Sequence, residues 1–116
     1  MLLRLRTAVA SVAGACGLAA VVACNAFAAG SVAAGRHKAL ACQTCHGLDG
    51  KSKIPEAPNL AGQVELYLVR ALKDYRDGAR KNDMMSLVAA TLKDQDIDDL
   101  ATYFSAIEIT VGPPPK

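Results

Sequence analysis

The sequence predicts an all-α fold. After residue 28, apolar side chains recur every three or four positions, as they do on the buried face of a helix. Nowhere in that region does an apolar and polar alternation run long enough to indicate a strand, and glycine or proline stands between the periodic segments. A chain of 116 residues is also typical of a single domain.

Residues 1–28 have the composition of a secretory signal peptide. A short basic start precedes an apolar, alanine-rich run over residues 7–23. The small residues of Ala26-Phe27-Ala28 then provide a cleavage site, so we expect cleavage after Ala28. This segment is therefore set aside from the fold.

The predicted mature chain consists of a domain over residues 29–110 and an extended, proline-rich tail over 111–116. Two alternatives for the start of the chain remain open. The apolar run could be retained as a membrane anchor, although it is shorter than a usual membrane span. Cys24 follows a weak lipobox and could instead carry a lipid that tethers the domain to a membrane.

Three main helices are predicted in the domain. The first covers residues 31–44. The second covers 63–77, with apolar residues on one face, and is ended by Gly78. The third covers 94–107, where acidic residues in the first turn favour the helix dipole and Asp94 is the expected cap.

Two segments between these helices are predicted to be loops. Residues 54–62 contain Pro55 and Pro58, which disfavour a helix. Met84 and Met85 lie in the second loop among polar residues, where a role in the core is unusual for two adjacent thioethers.

The motif Cys42-Gln43-Thr44-Cys45-His46 at the end of the first predicted helix has the attachment pattern of a c-type haem. On one helical turn, both thiols can add to haem vinyl groups. The histidine that follows can then bind the iron from the same side. The motif therefore predicts one covalent haem c, attached through Cys42 and Cys45, with His46 as an iron ligand.

Three other interpretations of the motif are weaker. A thioredoxin-like redox pair requires a βαβ unit that the chain does not predict. A zinc site would lack a fourth ligand, because the other histidine, His37, lies just upstream and is expected to face solvent. A disulfide between the two cysteines would close too short a loop to stabilise the fold much, and would leave His46 unexplained.

A second axial ligand would decide between electron transfer and ligand binding at the iron. Apart from Met1, the chain contains methionine only at positions 84 and 85. With a haem motif upstream, these two residues are the candidates for the second ligand. The residues alone do not choose between them.

The mature chain resembles the class I cytochromes c, especially small bacterial monohaem members related to the two-domain dihaem periplasmic cytochromes. The resemblance rests on the haem motif with Gly47 and on segments 58–63, 80–85 and 92–104. It implies the class I cytochrome c fold, with helices and loops wrapped around one haem.

The resemblance also implies roles for individual residues. Pro58 matches the proline whose backbone carbonyl fixes the ring of the proximal histidine. Met85, counted back from Leu92, falls at the place of the axial ligand and is preferred over Met84. Tyr67 and Arg80 sit where relatives line the haem pocket and its propionates.

The resulting expectation is a periplasmic electron carrier, not an enzyme, with His46 and Met85 as iron ligands. Its expected partners are redox proteins such as a membrane cytochrome complex, a terminal oxidase or a periplasmic dehydrogenase, and it is expected to be a monomer without stable membrane insertion. The alternative is a dedicated cytochrome subunit of a periplasmic dehydrogenase or sulfur-oxidising enzyme. An iron open to gas or peroxide is a further possibility, and would require both methionines to be off the metal.

The charge distribution argues against nucleic acid as a partner. Once Arg4 and Arg6 leave with the leader, eleven basic and eleven acidic side chains remain. Basic residues flank the haem motif and the methionines at Lys51, Lys53 and 80–81, whereas aspartates crowd the start of the last helix. This asymmetry is consistent either with a molecular dipole that orients docking or with an ordinary solvated surface.

Overall fold

The computed structural model describes residues 29–116, which form a helical domain without a strand in that range. The predicted leader and the alternatives at Cys24 lie outside the described residues. Within 29–116, no helix combines the length and the apolar character needed to cross a membrane. The all-α prediction is confirmed.

The first predicted helix is broken into three short elements. Helix α1 covers Val32–Lys38, a 3₁₀ turn covers Ala39–Ala41, and helix α2 covers Gln43–His46. The prediction of one continuous helix over 31–44 is therefore wrong, because a 3₁₀ turn over Ala39–Ala41 interrupts the α-helix. The break gives the haem motif its own turn of helix.

The second predicted helix is confirmed as α3, Glu65–Asp77. It ends at Gly78, whose φ of 81° is the left-handed conformation that glycine adopts without strain. The buried Leu68 lies on its apolar face.

An unpredicted helix, α4, covers Asp83–Ala89 and contains both methionines. It begins where the Asn82 side chain accepts hydrogen bonds from the backbone N–H groups of Met84 and Met85, at 3.1 and 2.9 Å. The prediction that these methionines lie in a loop is wrong. With α4, residues 29–116 contain four helices of seven or more residues, where three main helices were predicted.

Helix α5 covers Asp94–Ser105, so the third predicted helix is confirmed but its predicted cap is wrong. Lys93 is the capping residue, and its backbone N–H donates to the Asp96 carboxylate at 2.9 Å. Asp94 instead accepts from the Arg76 guanidinium of α3 at 2.8 Å. This ion pair joins the end of α3 to the start of α5.

The domain is organised around α5, which packs against both α1 and α3, while α4 packs against α3. At the crossing of α1 and α5, Gly35 has no space for a side chain: a Cβ there would lie 2.0 Å from the backbone oxygen of Asp99. Among the described residues, the main cluster of the core consists of six buried residues: Ala39, Leu68, Leu100, Ala101, Tyr103 and Phe104. In the described part of the chain, residues 106–116 form no helix or strand after α5.

A buried carboxylate, that of Asp99, links helix α1 to α5. Asp99 accepts from the Ser31 backbone N–H at 2.8 Å, from Gln95 at 3.0 Å and from the Lys38 ammonium. These donors, first of all Lys38, hold the pKa of Asp99 below its ordinary value despite burial. The element that delivers the haem motif is thus tied to the centre of the fold.

Candidate functional site

The haem motif ends at a sharp turn of the backbone. His46 is followed by Gly47, whose φ is 69°, and a Cβ at that position would lie 2.2 Å from Oδ1 of Asp49. The loop then folds back, so that the Lys53 N–H donates to the Cys45 carbonyl at 2.8 Å. The helical turn that carries the motif is therefore held in place by the Gly47 turn and by the hydrogen bond from Lys53.

His46 is buried, with 6% of its surface exposed. Its Nδ1 lies 2.9 Å from the carbonyl oxygen of Pro58, at hydrogen-bond distance. With Nδ1 donating there, Nε2 is the ring nitrogen available to a metal, and the ring cannot rotate freely.

The Pro58 carbonyl is itself held in place by the loop around it. Backbone N–H groups of Leu60 and Ala61 donate to the Gly50 carbonyl at 2.8 and 3.1 Å, which closes the loop. The Tyr103 hydroxyl of α5 donates to the Leu48 carbonyl at 2.7 Å. The loop that holds the histidine ring is thus linked to α5 by the hydrogen bond from Tyr103.

Two neighbouring cavities adjoin this histidine. The inner cavity, of about 100 Å³, lies between α3, α4 and α5 and is lined mainly by apolar side chains. The outer cavity, of about 520 Å³, borders both Cys42 and Cys45. Six residues line both cavities: Cys42, His46, Pro58, Tyr75, Met85 and Val88.

The two methionines differ in their relation to these cavities. Met85 is half-buried and lines both, whereas Met84 is 61% exposed and lines the outer one alone. The position of Met85 follows from α4, because the Asn82 cap fixes the first turn of that helix.

Tyr67 and Arg80 both line the inner cavity. The Arg80 guanidinium lies over the Tyr75 ring, 4.7 Å from its centroid, and its Nη1 lies 3.5 Å from the Tyr67 hydroxyl. The contact with Tyr67 is the main cause that raises the pKa of Arg80 above its ordinary value. A cationic side chain therefore lies at the wall of a mainly apolar cavity.

Both cysteines of the motif border the outer cavity. They are not joined in a disulfide. Burial, and to a lesser extent the neighbouring Cys45, raises the pKa of the Cys42 thiol. Among residues 29–116, no three His, Cys, Asp or Glu side chains are grouped to hold a metal ion by themselves. Paired thiols and one oriented imidazole beside an apolar cavity suit an iron that arrives within a macrocycle.

All seven residues singled out in the sequence lie at these cavities or at the histidine beside them: Cys42, Cys45, His46, Pro58, Tyr67, Arg80 and Met85. Sequence reasoning missed Tyr75 of α3, which lines both cavities, and also Val88 of α4. Val88 lies three residues after Met85, a helical spacing that would have identified it had α4 been recognised. His37 is exposed and lines neither cavity.

Comparison with known proteins gives consistent matches. The family model described as Cytochrome c matches residues 32–107. Cytochrome c4 from Pseudomonas aeruginosa is 46% identical over 87 residues, which are 75% of this chain and 43% of the relative. Cytochrome c-554(548) from Halomonas halodenitrificans is 46% identical over 83 residues, 69% of this chain and the whole of that protein.

A third relative, from Stutzerimonas stutzeri, is named thiosulfate dehydrogenase electron acceptor and is 40% identical over 70 residues, 60% of this chain and 32% of that protein. The solved structure of reduced cytochrome c4 from Pseudomonas stutzeri superimposes with a TM-score of 0.66 at 41% identity, covering 72% of this chain and 49% of the other. The chain thus spans about half the length of the cytochromes c4 it matches.

Proposed function

This chain belongs to the cytochrome c family, with the class I cytochrome c fold and cytochrome c4 relatives, and from that membership we propose that it is a periplasmic monohaem electron carrier with His46 and Met85 as axial ligands. Its family supports covalent haem c and electron transfer. The proposal adds the number of haems, the ligand pair and the compartment.

Cys42 and Cys45 would hold the haem through thioether bonds, and His46 would bind the iron through Nε2. The observation that carries this proposal is the 2.9 Å contact between His46 Nδ1 and the Pro58 carbonyl, on a Cys-x-x-Cys-His motif that borders a cavity. A histidine oriented in this way is preorganised as a ligand and cannot turn away when the iron changes charge.

Met85 is preferred as the second ligand because it lines both cavities, as His46 does. Met84 is mostly exposed and lines the outer cavity alone. The hydrogen bond from the Met85 backbone N–H to the Asn82 side chain would help to keep the Met85 thioether in position in both oxidation states.

When bound, haem c supplies an iron that gains and loses a single electron. The protein contributes the surroundings. Leu68, Leu100 and Phe104 present apolar surface to the inner cavity, and Arg80 at its wall would bind an anionic propionate of the haem. On this account no substrate is transformed on the chain, which serves as a carrier and not as an enzyme.

The test is haem content and redox behaviour after expression with a secretion signal and the haem-attachment machinery. We expect one haem per chain, resistant to extraction, and a one-electron redox titration. His46→Ala should abolish the normal spectrum, whereas the matched control His37→Ala, which changes an exposed histidine, should leave it unaltered. Loss of haem in both variants, or extractable haem in the unmodified protein, would contradict the proposal.

A dedicated subunit of a sulfur-oxidising or other periplasmic dehydrogenase is the second candidate. It is favoured by the relative named thiosulfate dehydrogenase electron acceptor. A subunit should co-purify with its enzyme in constant proportion through gel filtration, whereas a shuttle should elute alone. The elution profile of the protein from its native host distinguishes the two.

A further inference from the structure

The loop that follows the haem motif reaches the histidine twice. Residues 50–53 come first, and the Lys53 backbone N–H donates to the Cys45 carbonyl, directly before His46, at 2.8 Å. Residues 58–61 come second, and the Pro58 carbonyl oxygen lies 2.9 Å from Nδ1 of the histidine. One segment of the loop therefore holds the backbone beside His46, and the other holds its ring.

Backbone hydrogen bonds join these two segments at one end. The N–H groups of Leu60 and Ala61 donate to the Gly50 carbonyl at 2.8 and 3.1 Å. The segments lie close together there, because a Cβ at Gly50 would lie 2.6 Å from the Ala61 nitrogen. Neither of these hydrogen bonds involves the peptide unit between Pro58 and Asn59, whose oxygen contacts the histidine.

The Asn59 side chain joins the two segments at that peptide unit. Its Oδ1 accepts from the Ser52 backbone N–H at 2.8 Å. Asn59 supplies the nitrogen of the peptide unit whose oxygen contacts His46, and Ser52 directly precedes Lys53. The hydrogen bonds and the chain thus form a closed network, which passes through six residues in turn: His46, Pro58, Asn59, Ser52, Lys53 and Cys45.

This position of Asn59 favours a role in orientation over a role in stability. The side chain is exposed, and so is its hydrogen bond with Ser52. An exposed hydrogen bond replaces one with water and therefore contributes little to the free energy of unfolding. Without it, however, the peptide unit after Pro58 is free to rotate, and its oxygen then moves relative to the histidine ring.

We propose that Asn59 is a positioning residue for the histidine ligand and acts through the Pro58 carbonyl. This inference rests on the proposed electron-carrier function, in which His46 binds the iron. A well-directed acceptor at Nδ1 makes the imidazole a stronger electron donor, which stabilises ferric iron relative to ferrous iron. Asn59 therefore lowers the reduction potential and restricts rotation of the histidine ring.

The experiment compares haem-loaded Asn59→Ala with the wild type. In the reduced protein, nitrogen-15 NMR follows exchange of the His46 Nδ1–H with solvent, and we expect about tenfold faster exchange in the variant because its acceptor is held less firmly. In a titration against a redox mediator, we expect the equilibrium to shift toward the reduced form by about threefold, or about 28 mV at about 59 mV per tenfold for one electron. The midpoint of denaturant unfolding should change little.

Three further variants separate positioning from a general loosening of the loop. Asn59→Asp keeps an acceptor oxygen at the same place, so it should restore slow exchange of the Nδ1–H. The matched control is Gln63→Ala, because the Gln63 side chain also accepts from a backbone N–H, that of Val64 at 2.9 Å, but lies outside the closed network. Ser52→Ala keeps the backbone donor to Asn59. Both Gln63→Ala and Ser52→Ala should leave the exchange rate and the redox equilibrium unchanged.

Three results would overturn the proposal while leaving the electron-carrier function intact. Asn59→Ala could match the wild type in both exchange rate and redox equilibrium, Gln63→Ala could change both as much as Asn59→Ala does, or Asn59→Asp could exchange as fast as Asn59→Ala. Failure of the electron-carrier function would be seen in the wild type instead, as the lack of a reversible one-electron titration. That result would overturn the proposal as well, since His46 would then have no redox centre to tune.

Discussion

The close crossing of α1 and α5 predicts that Gly35→Ala destabilises the domain strongly. A Cβ at this position would lie 2.0 Å from the Asp99 oxygen and 2.6 Å from the Tyr103 Cβ. Both contacts are with the backbone or the stem of a side chain, so no flexible group can move aside. The two helices would have to separate.

The magnitude follows from opposing effects. Alanine in place of glycine favours the helix itself by about 1 kcal/mol. Separating the helices costs about 3 kcal/mol in lost packing. It also stretches the hydrogen bond from the Ser31 N–H to Asp99, which contributes about 1 kcal/mol. We expect a net loss of about 3 kcal/mol, which lowers the melting temperature by about 15 °C for a domain of this size.

The assay is guanidinium chloride unfolding of the haem-loaded, oxidised protein, followed by far-ultraviolet circular dichroism. The matched control is Gly112→Ala, where nothing lies within 4 Å of the added Cβ, and the expected change is less than about 0.5 kcal/mol. Equal or greater stability of Gly35→Ala would show that α1 and α5 are not in backbone contact, and would refute the packing described.

Three further substitutions test the supports of the site. Asp99→Asn should cost about 2 kcal/mol near neutral pH. Because the folded pKa of Asp99 is lowered, the wild-type advantage should be complete above the ordinary pKa of about 3.9 and disappear as the pH falls through the folded pKa, which urea titrations at several pH values would show. Asn82→Ala should cost about 1 kcal/mol and weaken the methionine-to-iron band, because the cap fixes Met85. Tyr103→Phe removes the hydrogen bond to the Leu48 carbonyl and should cost about 1 kcal/mol in thermal unfolding.

For each of these three predictions, one result would contradict the expected effect. Asp98→Asn changes a neighbouring carboxylate that forms no ion pair within residues 29–116, so an equal effect at Asp98 and Asp99 would exclude a specific clamp. Asn82→Ser retains a capping side chain and should restore the band, and failure to do so would assign the loss to something other than the cap. A Tyr103→Phe protein as stable as wild type would show that the loop does not depend on α5.

The helices that could be predicted are those with long apolar periodicity. Helix α3 was recognised because its apolar face spans several turns and Gly78 ends it. Helix α4 has seven residues and is too short to give a periodic signal. The polar residues around its two adjacent methionines indicated a loop instead. The cap of α5 was misplaced because Asp94 has a stronger partner in Arg76, a tertiary contact that local sequence does not reveal.

At the site, the motif alone located the cysteines and His46, because their chemistry requires fixed spacing. The contact between His46 and Pro58 spans twelve residues, and it was anticipated through the family resemblance and not from the residues themselves. The sequence did not show that Glu56 and Asp83 line the outer cavity. Lys51 and Lys53 are close to the motif in sequence, yet only the fold determines which side chains line a cavity.

The measurement that most directly tests the central claim is the absorption spectrum of the oxidised, haem-loaded protein, compared with those of Met85→Ala and Met84→Ala. We expect the methionine-to-iron charge-transfer band in the wild type and in Met84→Ala, and its loss in Met85→Ala alone. If the wild type lacks this band and its reduced form binds carbon monoxide readily, the iron is open to ligands and the electron-carrier account is contradicted.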